Sequence, residues 1–307
     1  MRRLFASALS CSASLAALAC GDVVKSAMPD AAATPDAPAM RRCDPTKRFG
    51  DEAPLGGLGD FELQQSVTFT ASELTAYVAL AHLPAPGASP DFDIYKATRG
   101  SDVAEFSTLI REVGVSTTDT EPDVSISEDG KLMVIARAQA GRDADLYEID
   151  ANPDGSFSTV TRADALSTTG LDEGRPSVWG GAQTLYFARY VDDVKLNDLF
   201  YAVRSGGEYA AAVEVPGVNS NAYENGAVAS ASGLELLFNR DDVMYSGVRA
   251  STSDPFAVAK LLDDSNTQIA GSIHWLSLDG CRLYYSRATY DNDQLVSSRL
   301  FTRSRPR

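Results

Sequence analysis

Five stretches of this chain repeat one pattern in phase, and the repeat limits the fold more than any other feature. Its first part is a small or acidic turn running into a hydrophobic strand. The copies are Ser72-Glu73-Leu74-Thr75-Ala76-Tyr77-Val78, Asp129-Gly130-Lys131-Leu132-Met133-Val134-Ile135, Gly181-Ala182-Gln183-Thr184-Leu185-Tyr186-Phe187, Gly233-Leu234-Glu235-Leu236-Leu237-Phe238 and Asp279-Gly280-Cys281-Arg282-Leu283-Tyr284-Tyr285. Each is followed by a second signature: Asp93-Ile94-Tyr95, Asp145-Leu146-Tyr147, Asp198-Leu199-Phe200-Tyr201, Asp242-Val243-Met244-Tyr245 and Arg299-Leu300-Phe301. An aromatic residue then opens a short apolar strand at Phe106, Phe157, Tyr209 and Phe256, and the fifth such residue, Phe49, lies at the other end of the repeat. Spacings from Phe49 are 57, 51, 52 and 47 residues. A period of about 50 is near that of a four-stranded propeller blade.

Each unit reads as strands a, b, c and d with Gly/Asp turns between them, and helical periodicity is nowhere sustained. A lone four-stranded sheet cannot bury both faces, so the units must stack. Closing them into a ring leaves only short edges. The predicted fold is therefore all-β: a β-propeller of five four-stranded blades over residues 44–307. Its ring is closed by the N-terminal strand, with residues about 46–59 pairing beside about 298–304.

The start of the chain reads as an address. Met1-Arg2-Arg3 is basic, and Leu4 to Ala19 carries no charge. That run is short for a membrane span, which takes roughly 20 apolar residues, and fits a secretory signal peptide over 1–19. Residues 20–43, rich in Ala, Pro and Asp, cannot bury enough apolar surface to offset their ordering entropy and are expected to form a flexible tether.

The Ser-x-Asp-Gly-x-x-Leu-Tyr-Phe pattern followed by Asp-Leu-Tyr resembles the WD40-like repeat of TolB-type β-propellers and their bacterial lipoprotein relatives. Glu73 stands where that repeat has Gly, and Gly180-Gly181 and Ser232-Gly233 stand for Asp-Gly. Leu15-Ala16-Ala17-Leu18-Ala19-Cys20-Gly21 resembles the lipobox of bacterial lipoproteins. The resemblance implies a lipidated Cys20 as mature N-terminus. Because Gly21 is not Asp, it also implies anchoring at the outer membrane, on its periplasmic or surface face. TolB carries a separate α/β domain that nothing here matches, so binding of its partner lipoprotein is not implied.

Lys and Arg number 27 against 42 Asp and Glu, a net charge of −15, which argues against nucleic acid as a partner. Four Cys and two His leave few soft metal ligands, and no metal or cofactor is expected. In an up-down-up-down blade, b and d run parallel, which brings Cys43 and Cys281 to one end of the last blade. A disulfide is expected there, with Cys43 folding back across strand c through the Asp44-Pro45 turn. Glu121, Glu173 and Glu224 recur at the start of strand a, where they could line a channel mouth and meet a cation or basic partner. Gln64 and Gly271 interrupt that ring. Hydrogen bonding to nearby backbone amides is the plainer role. The aspartate pairs Asp91/Asp93, Asp143/Asp145 and Asp192/Asp193 lack calcium-loop spacing and read as turn carboxylates. His274 and Trp275 form a candidate polar-aromatic spot at the channel, with packing inside the blade as the plainer alternative, and no Gly-x-Ser-x-Gly elbow exists. These features predict a monomeric, non-catalytic envelope lipoprotein. It would touch the membrane through its lipid only and bind a protein, peptide or glycan. The alternative is a glycan-active hydrolase on a five-bladed propeller.

Overall fold

The computed structural model describes residues 43–307 apart from 86–87, 140–141, 193–195, 258, 263–270 and 293. The expected signal peptide, Cys20 and all of the tether before Cys43 lie outside the described residues. Among the described residues the chain is all-β without a helix. β1 (Glu52–Pro54) precedes a first sheet of β2 (Leu63–Phe69), β3 (Thr75–Ala81), β4 (Asp93–Thr98) and β5 (Thr108–Arg111). The second is β6 (Thr120–Ile126), β7 (Leu132–Ala138), β8 (Ala144–Asp150) and β9 (Thr161–Arg162). In the third, β10 (Glu173–Trp179), β11 (Thr184–Asp192) and β12 (Leu196–Ser205) are edged by β13 (Glu208–Tyr209) and β14 (Val213–Glu214). The fourth is β15 (Glu224–Ala229), β16 (Glu235–Arg240), β17 (Val243–Val248) and β18 (Lys260–Leu261). The last comprises β19 (Ser272–Leu276), β20 (Arg282–Asp291) and β21 (Gln294–Ser304), and β1 pairs antiparallel with β21, setting Glu52 opposite Arg303. β21 also meets β2 in parallel at Ser298 and Leu63, which joins the first and last groups of strands into one eight-stranded sheet.

The second strand of each sheet explains the hydrophobic runs in the sequence. Successive side chains on a strand point to opposite faces, and here both faces are covered. In β7, Leu132, Val134 and Ala136 enter one cluster with β11 and its neighbours, while Met133 and Ile135 enter another with the first sheet. β3 divides likewise: Ala76, Val78 and Leu80 pack with Tyr284 and Leu300 of the last sheet, and Tyr77, Ala79 and Ala81 with the second. Two further clusters fill the third–fourth and fourth–fifth junctions. The first strands meet in the order β2, β6, β10, β15, β19, and β19 returns to β2.

The aromatic residues that open the fourth strands, Phe49, Phe106, Phe157, Tyr209 and Phe256, are all buried. Four of them lie under an arginine from the end of the third strand: Arg305 over Phe49, Arg99 over Phe106, Arg204 over Tyr209 and Arg249 over Phe256, 4.4–5.6 Å from the ring centroids. All four guanidiniums also donate from Nε to a turn carbonyl, on Glu73, Gly207, Gly233 and Gly280. On this same face Cys43 and Cys281 form the expected disulfide, with Cα atoms 5.1 Å apart. The Cys43 amide donates to the Asp279 carbonyl, and Asp44 Oδ1 accepts from the Thr46 amide in the turn that follows.

Candidate functional site

Every first strand carries a register shift: at Gln64/Ser66, Thr120/Asp123, Gly174/Ser177, Asn225/Val228 and Ile273/Trp275. A bulge leaves a residue out of the ladder and re-aims its side chain. The shifts bring Gln65, Arg175 and His274 to the space between the sheets. Deep in that space is a void of about 10 Å³, edged by Ser66, Asp123, Arg175 and His274. Such a volume holds about one water molecule. Above it opens a cavity of about 390 Å³, reached by Arg175 from below and walled by the fourth and fifth sheets.

The geometry at the floor is polar and tightly held. Arg175 adopts φ 54° at its bulge, donates its amide to Asp123 Oδ2 and pairs through Nη1 with Asp123 Oδ1 at 3.2 Å. His274 Nε2 lies 2.8 Å from Ser286 Oγ. Desolvation between the channel walls, helped by the Arg175 charge, holds the His274 pKa well below the usual histidine range, so the ring is neutral at pH 7. A serine beside a neutral imidazole is the pairing of nucleophile and base. Among the described residues, however, no carboxylate holds the other ring nitrogen of His274. The hydrogen bond therefore serves to fix the ring.

Two features of the fourth and fifth sheets leave the cavity open. β16 and β17 are joined by only Asp241 and Asp242, both with positive φ (48° and 61°), as a two-residue hairpin of this hand requires. The short turn leaves Asp242 exposed on the cavity wall, below the Tyr223 rim. On the other side β20 and β21 form a long hairpin whose Tyr290 is 64% exposed at the rim.

Of the sequence-predicted residues, His274 lies at the small void, and the three glutamates accept backbone amides, the plainer of the two roles. Glu121, Glu173 and Glu224 sit at the cavity end of their strands, yet all three are 0% exposed. Each accepts from Nε of an arginine sixteen positions on: Arg137 at 2.8 Å, Arg189 at 2.7 Å and Arg240 at 2.7 Å. Each also accepts a backbone amide, from Thr117, Thr168 and Ser220. Burial pushes Glu173 up to about 7 against the pull of Arg189, and it raises Glu121 as well. Trp275 is separated from His274 by the bulge and packs on Phe69 and Tyr284, at centroid distances of 4.8 and 5.7 Å. The aspartates of the second signature do more than shape turns, since Asp93 and Asp145 hold Arg111 and Arg162 of the outer strands. Among the described residues no three His, Cys, Asp or Glu side chains group as a metal site.

Sequence reasoning missed the residues that line the cavity: Arg175, Asn225, Asp242 and Arg287. Asp241-Asp242 between two hydrophobic strands is a visible hairpin signal. The bulges that aim Arg175 and His274 are not, because they depend on neighbouring sheets.

No family model matches the chain, and no curated protein does. Among solved structures, the α-L-arabinofuranosidase of Podospora anserina solved with cellotriose is similar at a TM-score of 0.53 and 12% identity, covering 86% of this chain and 98% of that one. The catalytic domain of the Coprinopsis cinerea GH62 α-L-arabinofuranosidase is similar at 0.50 and 11%, covering 85% and 98%. TolB of Acinetobacter baumannii is also similar, at 0.46 and 12%, covering 79% of this chain and 54% of that chain. The likeness is one of fold, and the fold is of the propeller type. It corrects the expectation of a non-catalytic module: the architecture matched over nearly the whole of both arabinofuranosidase chains is one that carries catalysis. The absence of a nucleophile motif had pointed the other way, but a glycosidase needs only two carboxylates, which leave no motif.

Proposed function

We propose that this chain is a glycan-active hydrolase on a five-bladed propeller, closed where β1 pairs with β21, and that its substrate enters the 390 Å³ cavity. The five junction clusters, one of them joining the first and last sheets, support the count and the closure.

The cavity carries the functional reading. Its volume falls within the range of small-molecule sites, which bury a ligand against a few convergent polar groups. Tyr223 and Tyr290 offer ring faces for the apolar side of a sugar. Two carboxylates lie along the path: Asp242 on the cavity wall, and Asp123 at the small void beneath, where its Oδ1 is 3.2 Å from Arg175 Nη1. In this reading they share the acid–base work of glycoside hydrolysis. Two other hollows suit the role less. One of about 310 Å³ beside the disulfide is mostly apolar, and its Glu235 is engaged by Arg305. Another of about 490 Å³ lies away from the channel, against Lys47, Arg48 and Lys260.

The compartment belongs to the same proposal: export, acylation at Cys20 and an outer-membrane anchor. The buried disulfide supports an oxidising location. A panel of aryl glycosides and plant and bacterial polysaccharides, assayed for released reducing ends, tests the function. Turnover on at least one glycan is expected, and none across the panel would contradict the reading.

A further inference from the structure

We propose that the cavity selects an acidic sugar, gripping its carboxylate with Arg287. This deepens the reading of the cavity as a glycan site and rests on it.

In the fifth repeat the arginine of a recurring ion pair stands without its glutamate. In the second, third and fourth sheets an arginine of the second strand stacks on a ring of the third: Arg137 on Tyr147, Arg189 on Phe200 and Arg240 on Tyr245, at 4.6–5.0 Å. Its Nε edge then meets a buried glutamate at the start of the first strand. Arg287 occupies the same place in the fifth sheet and stacks on Phe301 at 4.8 Å. The matching glutamate position, however, is Gly271. A Cβ there would come 2.4 Å from the Ser286 carbonyl oxygen, so no side chain fits. Glu52 takes only the Nη2 corner of Arg287, at 2.6 Å, while itself held by Tyr285. Among the described residues the Nε edge has no carboxylate. The side chains of Arg137, Arg189 and Arg240 are 10, 13 and 22% exposed, whereas that of Arg287 is 44% exposed and faces the cavity.

A second observation points to a ligand. Asn225, 2% exposed and lining the same cavity, has an Oδ1 without a hydrogen-bond partner among the described residues. Buried polar atoms are normally satisfied, and a sugar hydroxyl would satisfy this one. With Gln65, Ser272 and Ser298 also on the wall, the site sets the Arg287 fork among several neutral partners, with Arg175, already paired to Asp123, below it and the Asp242 carboxylate on the wall. That is the pattern of a ring with hydroxyls and one carboxylate, which an arginine binds bidentately. The chain's −15 charge slows approach of an anion at low salt, but beyond roughly 8 Å it is screened at physiological ionic strength.

Calorimetric titration of the mature chain with glucuronate and galacturonate, against glucose and galactose, tests this in 150 mM salt. Each uronate is expected to bind at least tenfold tighter than its neutral parent. Arg287→Gln should bring the ratio close to one with the neutral sugars unchanged. Glu52→Gln, which removes the negative charge beside Nη2, should raise the ratio, so loss of fold in one variant does not decide the matter. Equal affinities for acidic and neutral sugars would overturn the inference while leaving a glycan site, and acetate binding as tightly as the uronates would overturn it too. No binding of any sugar, with no hydrolysis, would overturn the function reading beneath it.

Discussion

Glu73 holds a backbone conformation that its residue type rarely adopts, φ 57°, at a turn position where three other repeats have glycine, Gly130, Gly233 and Gly280. Its carboxylate offsets the strain: 6% exposed, Glu73 receives Arg282 through Nε and Nη2 at 2.8 and 2.6 Å and the Tyr284 hydroxyl at 2.9 Å. Glycine would relieve roughly 1 kcal/mol of backbone strain, but breaking a buried ion pair costs about 3–5 kcal/mol. Glu73→Gly is therefore expected to lower stability by about 2–4 kcal/mol by these figures, read from the midpoint of urea unfolding. His274 and Glu173 set opposite pH dependences. The unfolded chain takes up a proton at His274 below about pH 6.5 that the folded chain refuses, so this contribution is complete above 6.5 and lost on acidification. Glu173, held up near 7 when folded, keeps a proton that the unfolded chain has released, so its contribution falls as pH rises from about 4.5 to 7. His274→Gln should remove the acid-side loss and leave stability falling from pH 5.5 to 7.0, as urea unfolding at the two values would show. Of these residues, the oddity of Glu73 was legible in advance, and Glu173 and His274 stood out without the partners that bury them. The glutamates were read without their arginines, although both recur at one spacing, because a one-sided list of carboxylates says nothing about what covers them.

At the scale of elements, the legible parts were those that local chemistry decides. Alternating clusters on both faces of β3 and β7 are why five apolar runs could be found in phase. The isolated Phe49 identified β1 as a displaced partner of β21. The bulges of the first strands were not legible, since each is set by side chains of an adjoining sheet, as when Asp123 takes the Arg175 amide. The joint between β1 and the last sheet carries a prediction of its own. The disulfide spans 238 residues, and a loop that long is worth about 5 kcal/mol in the chain-entropy model. Cys281→Ser should lower stability by up to about that amount. A variant melting like the parent would show that the β1–β21 pairing holds without the covalent link.

Taken as a whole molecule, the sheets present two unlike faces. One is bolted by Cys43–Cys281, Glu73–Arg282 and Glu235–Arg305. The other carries Glu–Arg pairs in three sheets, and among the described residues the cavity opens beside Gly271 of the fifth and the two-residue turn of the fourth. This division leaves the bolted face for the scaffold and the open one for chemistry. Cys43, where the described residues begin, lies on the bolted side. Cys20→Ala should release the protein from the membrane fraction without altering its activity, and intact mass showing an unmodified mature N-terminus would dispose of the anchor. The most direct test is the initial rate of reducing-end release on the best glycan of the panel, for the parent chain and for Asp242→Asn with matched thermal stability. A loss of about 100-fold or more is predicted, the usual scale for a positioned acid or base. A variant that turns over at the parental rate would contradict the account.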